Sequence, residues 1–384
     1  MKKLALLFCV LFTVTSIAQT YTHSISSTEL GEKRDVKIYL PKSYDQDSIR
    51  QYPLTIVFDA DYLFDLYVGN SVLFAQKQKA PEQIIVGISQ PGDLRYEDCS
   101  YDKSSSRPTK RAAEFFDFVK IELLDYMEVN YRISPFKTIV GNTITGNFTN
   151  YFFLDEDHLF SAYINVNPYY APEMPAAVSG IAQTIKNNSF YYYMNTGDYL
   201  SQKRRDGIAR MDAALSPIEL EKFNFKFDDL SGATSVSSIG QAIPSAIAFI
   251  FEIYSSISKE EFNTKIKDLS PPDAIAYLEN KYVEIEYQFG SNLKIRERDI
   301  YAIESIVIDK ENGEYLRDFG EMIYKLYPES PLGDYYVGLG FEMNGKYKRA
   351  LEAYKEGYMK FTNDPNGADT FYKNVERVAS KVKG

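Results

Sequence analysis

The chain has 384 residues, 53 acidic against 43 basic side chains and a net charge of −10. Its lysines and arginines are dispersed, so this balance excludes a nucleic-acid binder, and the 32 Tyr and 25 Phe read as core and groove lining. The length gives two domains as a prior and permits a large core without disulfides.

Residues 1–18 read as a secretory leader. Lys2 and Lys3 precede an apolar run from Leu4 to Val14, and Ser16-Ile17-Ala18 supplies small residues for cleavage. The run is too short to span a bilayer. Cys9 lies mid-run, which is not lipoprotein spacing, so a periplasmic or secreted protein is expected, with no membrane span after cleavage. Only Cys99 then remains, which leaves no intrachain disulfide to form.

Residues 19–35 read as a leading strand or arm. Val36 to Leu40 alternates as a strand with one wet face, and Pro41 closes it. Leu54–Phe58 is a near-continuous apolar run and Ile84–Ile88 another, the pattern of central strands covered on both faces. Leu63 to Ala75 has helical periodicity between them. A polar loop is expected from Pro91 to Thr109, then a long amphipathic helix from Ala112 to Val129. Further strands are read at Ala162–Val166, Phe190–Met194 and Phe223–Phe227, and a closing helix at Ile243–Ile257. Strands alternating with helices make an α/β fold with a mostly parallel sheet over residues 19–257. Residues 258–384 read as an all-α domain. Gly338, Phe341, Gly345, Ala350, Leu351, Tyr354 and Gly357 are spaced like a tetratricopeptide repeat, with a weaker copy at Tyr315, Phe319 and Ile323.

The stretch Thr138 to Asn150 organises the rest. An apolar run reaches Gly141, a turn of small residues follows, and an amphipathic run begins at Phe148. Strand, sharp turn and helix is the setting of the nucleophile elbow, in which G-x-S-x-G puts a serine on a strained corner. Thr143 stands at the serine position and Thr145 at the second glycine.

Around it, Tyr52-Pro53-Leu54, Phe58-Asp59-Ala60-Asp61, Ile85-Val86-Gly87-Ile88, Arg95-Tyr96-Glu97-Asp98, Gly141 to Gly146, and Phe160 to Tyr163 before Asn167-Pro168 occur in order. Over roughly residues 30–255 this set resembles the α/β-hydrolase esterase family that includes enterochelin esterase and S-formylglutathione hydrolase. It is most similar to exported bacterial members with a tetratricopeptide-like tail. The resemblance implies a carboxylic-ester hydrolase with the order Ser, acid, His. It maps the nucleophile to Thr143 and the acid to Asp198. The family's His-x-Ser-Val falls on Ala233-Thr234-Ser235-Val236, which maps the histidine to Ala233.

Histidine takes the nucleophile's proton and returns it to the leaving group. The only histidines are His23, in the leading arm, and His158, just after the elbow helix and read as a surface or helix-end residue. A β-branched residue also makes the corner more costly. Asp59-Ala60-Asp61 reads as turn or capping carboxylates rather than a metal pair, and Glu97-Asp98 and Asp155-Glu156-Asp157 as solvated loop charge. Arg95 is expected to pair with such loop acids and hold its loop. No phosphate-cradling glycine loop or Cys/His cluster is present, so no cofactor or metal is expected. The leading expectation is an exported esterase-family protein with a degenerate triad that binds a small ester-like ligand or an envelope protein. Two alternatives stand beside it. One is a working ester hydrolase using Thr143 with a non-histidine base, and the other an interaction scaffold built on the helical tail.

Overall fold

The computed structural model describes residues 20–197, 200–308, 313–361 and 365–383. The expected leader and Asp198 lie outside these. Eight strands form one sheet: β1 (Thr20–Ser26), β2 (Lys33–Tyr39), β3 (Tyr52–Val57), β4 (Ile84–Ile88), β5 (Ile133–Asn142), β6 (Ala162–Val166), β7 (Phe190–Gly197) and β8 (Phe223–Leu230). Their spatial order is β1-β2-β4-β3-β5-β6-β7-β8. The β1–β2 and β2–β4 pairings are antiparallel, and every pairing from β4 onward to β8 is parallel. β3, β4 and β6 are buried along their whole length, as largely apolar strands covered on both faces are.

Helices cover both faces. On one side lie α1 (Leu63–Gln76) and α8 (Ser235–Ile250), whose Phe64, Tyr67, Ile243 and Ile247 pack on Val57, Val140 and Ile164 of the sheet. On the other lie α2 (Leu94–Cys99), α3 (Lys110–Asp117), α4 (Leu124–Asn130), α5 (Ile144–Phe153), α6 (Met174–Ala182) and α7 (Gln202–Leu215), around Phe58, Ile139, Phe115, Phe148 and Tyr192.

Three elements differ from the sequence reading. The stretch expected as a polar loop holds α2, because Asp98 and Cys99 at its end are buried rather than solvated. The long amphipathic helix is α3 and α4 joined by a π-helical stretch at Phe118–Leu123; Phe115, Val119, Leu123 and Met127 are buried on its inner face, while Phe116 is half-buried. The closing helix starts at Ser235, ahead of Ile243. The Thr234 hydroxyl caps it by accepting from the Ser237 N–H, a start signal that outweighs the polar run behind it.

Beyond the short α9 (Lys259–Glu261), the remainder is helical: α10 (Pro271–Phe289), α11 (Glu297–Val307), α12 (Glu314–Leu326), α13 (Leu332–Met343), α14 (Tyr347–Met359) and α15 (Pro365–Lys383). The end of α10 docks on the sheet. Ile285 and Phe289 pack with Phe136 and Phe251, and the Gln51 N–H donates to the Gly290 carbonyl at 3.2 Å. The later helices pack in succession at small residues. A Cβ at Gly320 would fall 2.6 Å from Val337 and 2.9 Å from the Gly333 carbonyl, and one at Gly338 2.7 Å from the Tyr354 ring.

These contacts decide the sign of a glycine substitution. Alanine gains about 1 kcal/mol over glycine inside a helix, whereas overpacking against backbone costs about 1–3 kcal/mol. Gly320→Ala is therefore expected to lower the thermal midpoint. Gly240→Ala, in α8 with nothing within 4 Å, is expected to raise it. Parallel melting curves check both.

Candidate active site

β5 delivers Thr143 to the carboxyl edge of the sheet, where α/β folds place their ligands. The residue sits at φ 64° and ψ −109°, a region that costs a non-glycine residue about 1–3 kcal/mol. Both of its backbone groups are held: its N–H donates to the Val166 carbonyl at 3.0 Å, and its carbonyl accepts from the Tyr169 N–H at 2.9 Å. Gly141 makes the corner possible, since a Cβ there would lie 2.4 Å from the Thr145 backbone. The expected strand, turn and helix are all present.

Thr145 does not open the turn. Its hydroxyl folds back to accept from the Asn142 N–H at 2.7 Å and lies 2.6 Å from an Asp59 carboxylate oxygen. Asp59, buried at the end of β3, is also bound by Arg95 at 2.9 Å, and Arg95 reaches the Asn142 carbonyl at 3.1 Å. Burial pushes the Asp59 carboxyl up, while Arg95 and the Thr145 hydroxyl pull it back. Arg95 thus pairs with an acid, but with Asp59 at the end of β3 rather than with one of the loop acids expected. Asp61 is exposed, so the two carboxylates of the Asp59-Ala60-Asp61 run do not share a site, and no metal-holding cluster occurs among the described residues. Beside them the half-exposed Tyr62 accepts from Asn142 Nδ2, and burial with the Asp59 charge raises its phenol to about 12.

The expectation for Glu97-Asp98 fails at Asp98. Its carboxylate is fully buried and paired with Arg34 and Arg111, a charge removed from water because two guanidiniums from separate elements converge on it. Asp155 and Asp157 are both bound by Lys120 at 2.7–2.8 Å.

Two side chains contact the Thr143 hydroxyl: it donates to Asn142 Oδ1 at 3.3 Å and accepts from Arg204 Nη2 at 3.3 Å. Arg204 also donates to the Asn167 carbonyl and has no carboxylate partner among the described residues. Burial lowers its pKa, Tyr169 works against that shift and Arg95 adds to it. A guanidinium stays protonated in proteins nonetheless. Asn167 Nδ2 donates to the Ser238 hydroxyl at 2.8 Å, which ties the start of α8 to the elbow. Ala233, to which the resemblance maps the histidine, is buried in the turn just before that helix and donates its N–H to the Leu230 carbonyl. A chain of hydrogen bonds, Thr143–Arg204–Asn167–Ser238, therefore links the corner residue to the start of α8, near Ala233.

Neither imidazole is at this edge. His158 is exposed at the opposite end of the sheet, its ring 5.3 Å from that of Phe190 at the start of β7. His23 lies on β1, stacked on Tyr126. Four strand spacings, roughly 19 Å, separate β1 from β5. Arg204 escaped the sequence reading. The available signal was the Lys203-Arg204-Arg205 run after β7, at the start of α7.

Residues 27–205 match a family model described as "Putative esterase". The body of the chain has an α/β-hydrolase-like fold, and over residues 27–205 it is similar to that esterase family. An uncharacterised protein from Capnocytophaga ochracea is 26% identical over 94% of this chain and 100% of its own, with a TM-score of 0.83. An IroE-like serine hydrolase from Shewanella oneidensis is 17% identical over 85% of this chain and 99% of its own, with a TM-score of 0.59. The siderophore hydrolase EstB from Aspergillus nidulans is 15% identical over 62% of this chain and 97% of its own, with a TM-score of 0.51. The last two are likenesses of fold. A comparison with curated proteins found no match.

The Thr145 hydroxyl is the testable part of this frame. Thr145→Val keeps the shape but strands the buried Asn142 N–H and removes a donor from Asp59, a loss of about 1–3 kcal/mol. Thr145→Ser keeps the hydroxyl and is expected to stay within 1 kcal/mol of the parent, roughly the net worth of one hydrogen bond. Urea unfolding midpoints distinguish the two.

Proposed function

We propose that this chain is an exported esterase-fold protein whose proton relay is lost and whose cleft binds, rather than hydrolyses, an ester or carboxylate ligand. The observation that carries the reading is the partner of the Thr143 hydroxyl. Attack on an ester needs an acceptor there to take the hydroxyl's proton. Arg204 is a donor with no lone pair to offer. Asn142 Oδ1 accepts a hydrogen bond, yet a neutral amide is too weak a base to deprotonate an alcohol. The same guanidinium suits a carbonyl or carboxylate oxygen resting against the elbow, since no carboxylate among the described residues pairs with it. Thr143, Thr145 and Ala233 together are departures at three positions of the family's motifs, and Asp198 remains the position of the acid.

Binding without turnover separates this reading from a working threonine hydrolase. Hydrolysis of p-nitrophenyl acetate by the parent is expected to match that of Thr143→Ala within about twofold. Losing a true nucleophile costs several powers of ten. A drop of a hundredfold or more in Thr143→Ala would overturn the inert reading and favour the hydrolase.

We extend the proposal to the tail, as a tetratricopeptide-like scaffold. The support is the close crossing of α13 and α14 at Gly338 and Tyr354, the pair that the repeat spacing picks out.

A further inference from the structure

A second cluster of cations lies away from the elbow, at the seam between the hydrolase body and the tail. A cavity of about 370 Å³ is lined by Lys77 and Lys79 after α1, Ser256 after α8, Arg296 and Arg298 at the start of α11, and Tyr327 after α12. Glu297 is its one acidic wall residue. The length of α1, about 21 Å, separates it from the elbow end of β3. Among the described residues none of the four cations is paired with a carboxylate, in a chain whose net charge is −10.

Arg296 is the decisive member. Only 9% of it is exposed. Its guanidinium lies over the Tyr254 ring at 4.9 Å, and Nη1 donates to the Tyr254 carbonyl at 2.7 Å. Nε and Nη2 are buried and have no hydrogen-bond partner among the described residues. Those two nitrogens form the edge with which a guanidinium grips an oxyanion through two parallel bonds. As a structural staple to Tyr254, Arg296 would need Nη1 alone. Leaving the fork edge buried and unpaired costs free energy that a bound anion would recover. Arg296 is also the residue preceding the first turn of the 11-residue α11, whose leading N–H groups have no partner within the helix and favour negative charge.

We propose that this seam is a binding site for a phosphate group. Four cations against one carboxylate suit a dianion better than a monocarboxylate, and the Arg296 fork with the first turn of α11 supplies donors on adjacent sides. The flexible Lys77 and Lys79 would close over the ligand as point charges. Occupancy would also brace the body against the tail, because the lining comes from both.

Titration calorimetry of the full chain with inorganic phosphate and pyrophosphate, at fixed ionic strength with acetate as control, tests the site. Saturable phosphate or pyrophosphate binding without acetate binding is expected, weakened about tenfold or more in Lys77→Gln/Lys79→Gln, whose side chains are exposed and play no part in the fold's core. Arg296→Lys, which keeps the charge and loses the fork, should weaken it as well. Should that variant fail to fold, the lysine pair decides. Co-sedimentation with phosphatidic-acid against phosphatidylcholine vesicles distinguishes the source: capture by the former, competed by phosphate, identifies a lipid headgroup, and calorimetric binding without capture a soluble phosphate. Absence of saturable binding to phosphate, pyrophosphate and the anionic vesicles would overturn the proposal, as would an affinity that the lysine pair leaves unchanged.

Discussion

Thr143 is held in a left-handed corner by hydrogen bonds at both ends of its own peptide, to β6 on one side and from the loop after β6 on the other. The corner exists because Gly141 lets the start of α5 approach the end of β5, and the Asp59–Arg95–Thr145 cluster braces it from beneath. Strain of this kind persists only where the surroundings over-determine it. Here a β-branched residue occupies it, and the surrounding network is intact. Behind the corner, buried Asn147, Asn150, Asn165, Asn167 and Asn195 hydrogen-bond α5 and β6 to their neighbours, so the helix is set by polar contacts as well as by Phe148 and Phe152.

What this frame presents to a ligand is set by charge. In an esterase the hydroxyl at the corner must lose a proton, so its neighbour must be able to hold one. In this chain the neighbour is Arg204, already protonated and without a carboxylate partner among the described residues. The electrostatics that would impede formation of an imidazolium at the site would favour a bound oxyanion. One arginine thus accounts for both halves of the proposed function, an inert hydroxyl and an anion-seeking cleft. The seam around Arg296 repeats the logic with a different guanidinium: a donor edge buried without an acceptor is best explained by an acceptor that arrives with a ligand.

Much of the fold was legible because its signals are local. The strands at Ile84–Ile88 and Ala162–Val166 have the bounds their apolar runs suggest, and the turn at Gly141 to Gly146 announced the corner before its geometry was known. The helix at Leu94–Cys99 was hidden because its polar residues are satisfied by distant partners: Asp98 is buried by Arg34 and Arg111, which periodicity cannot see. Candidate site residues divided in the same way. Thr143 and Thr145 could be placed at the corner from motif position alone. Arg204 could not, because what matters about it is a contact across 61 positions of chain, and a lysine-arginine run reads as solvated surface until that contact is known. Arg296 was invisible for a related reason, since its burial is created only when the tail folds back against the body.

The central claim is that the Thr143 hydroxyl is not a nucleophile. Labelling by a fluorophosphonate probe, followed by peptide mass spectrometry, tests it without any assumption about substrate. The account predicts that Thr143 stays unmodified under conditions in which an active serine hydrolase is labelled to completion. A covalent adduct mapped to Thr143 would contradict it.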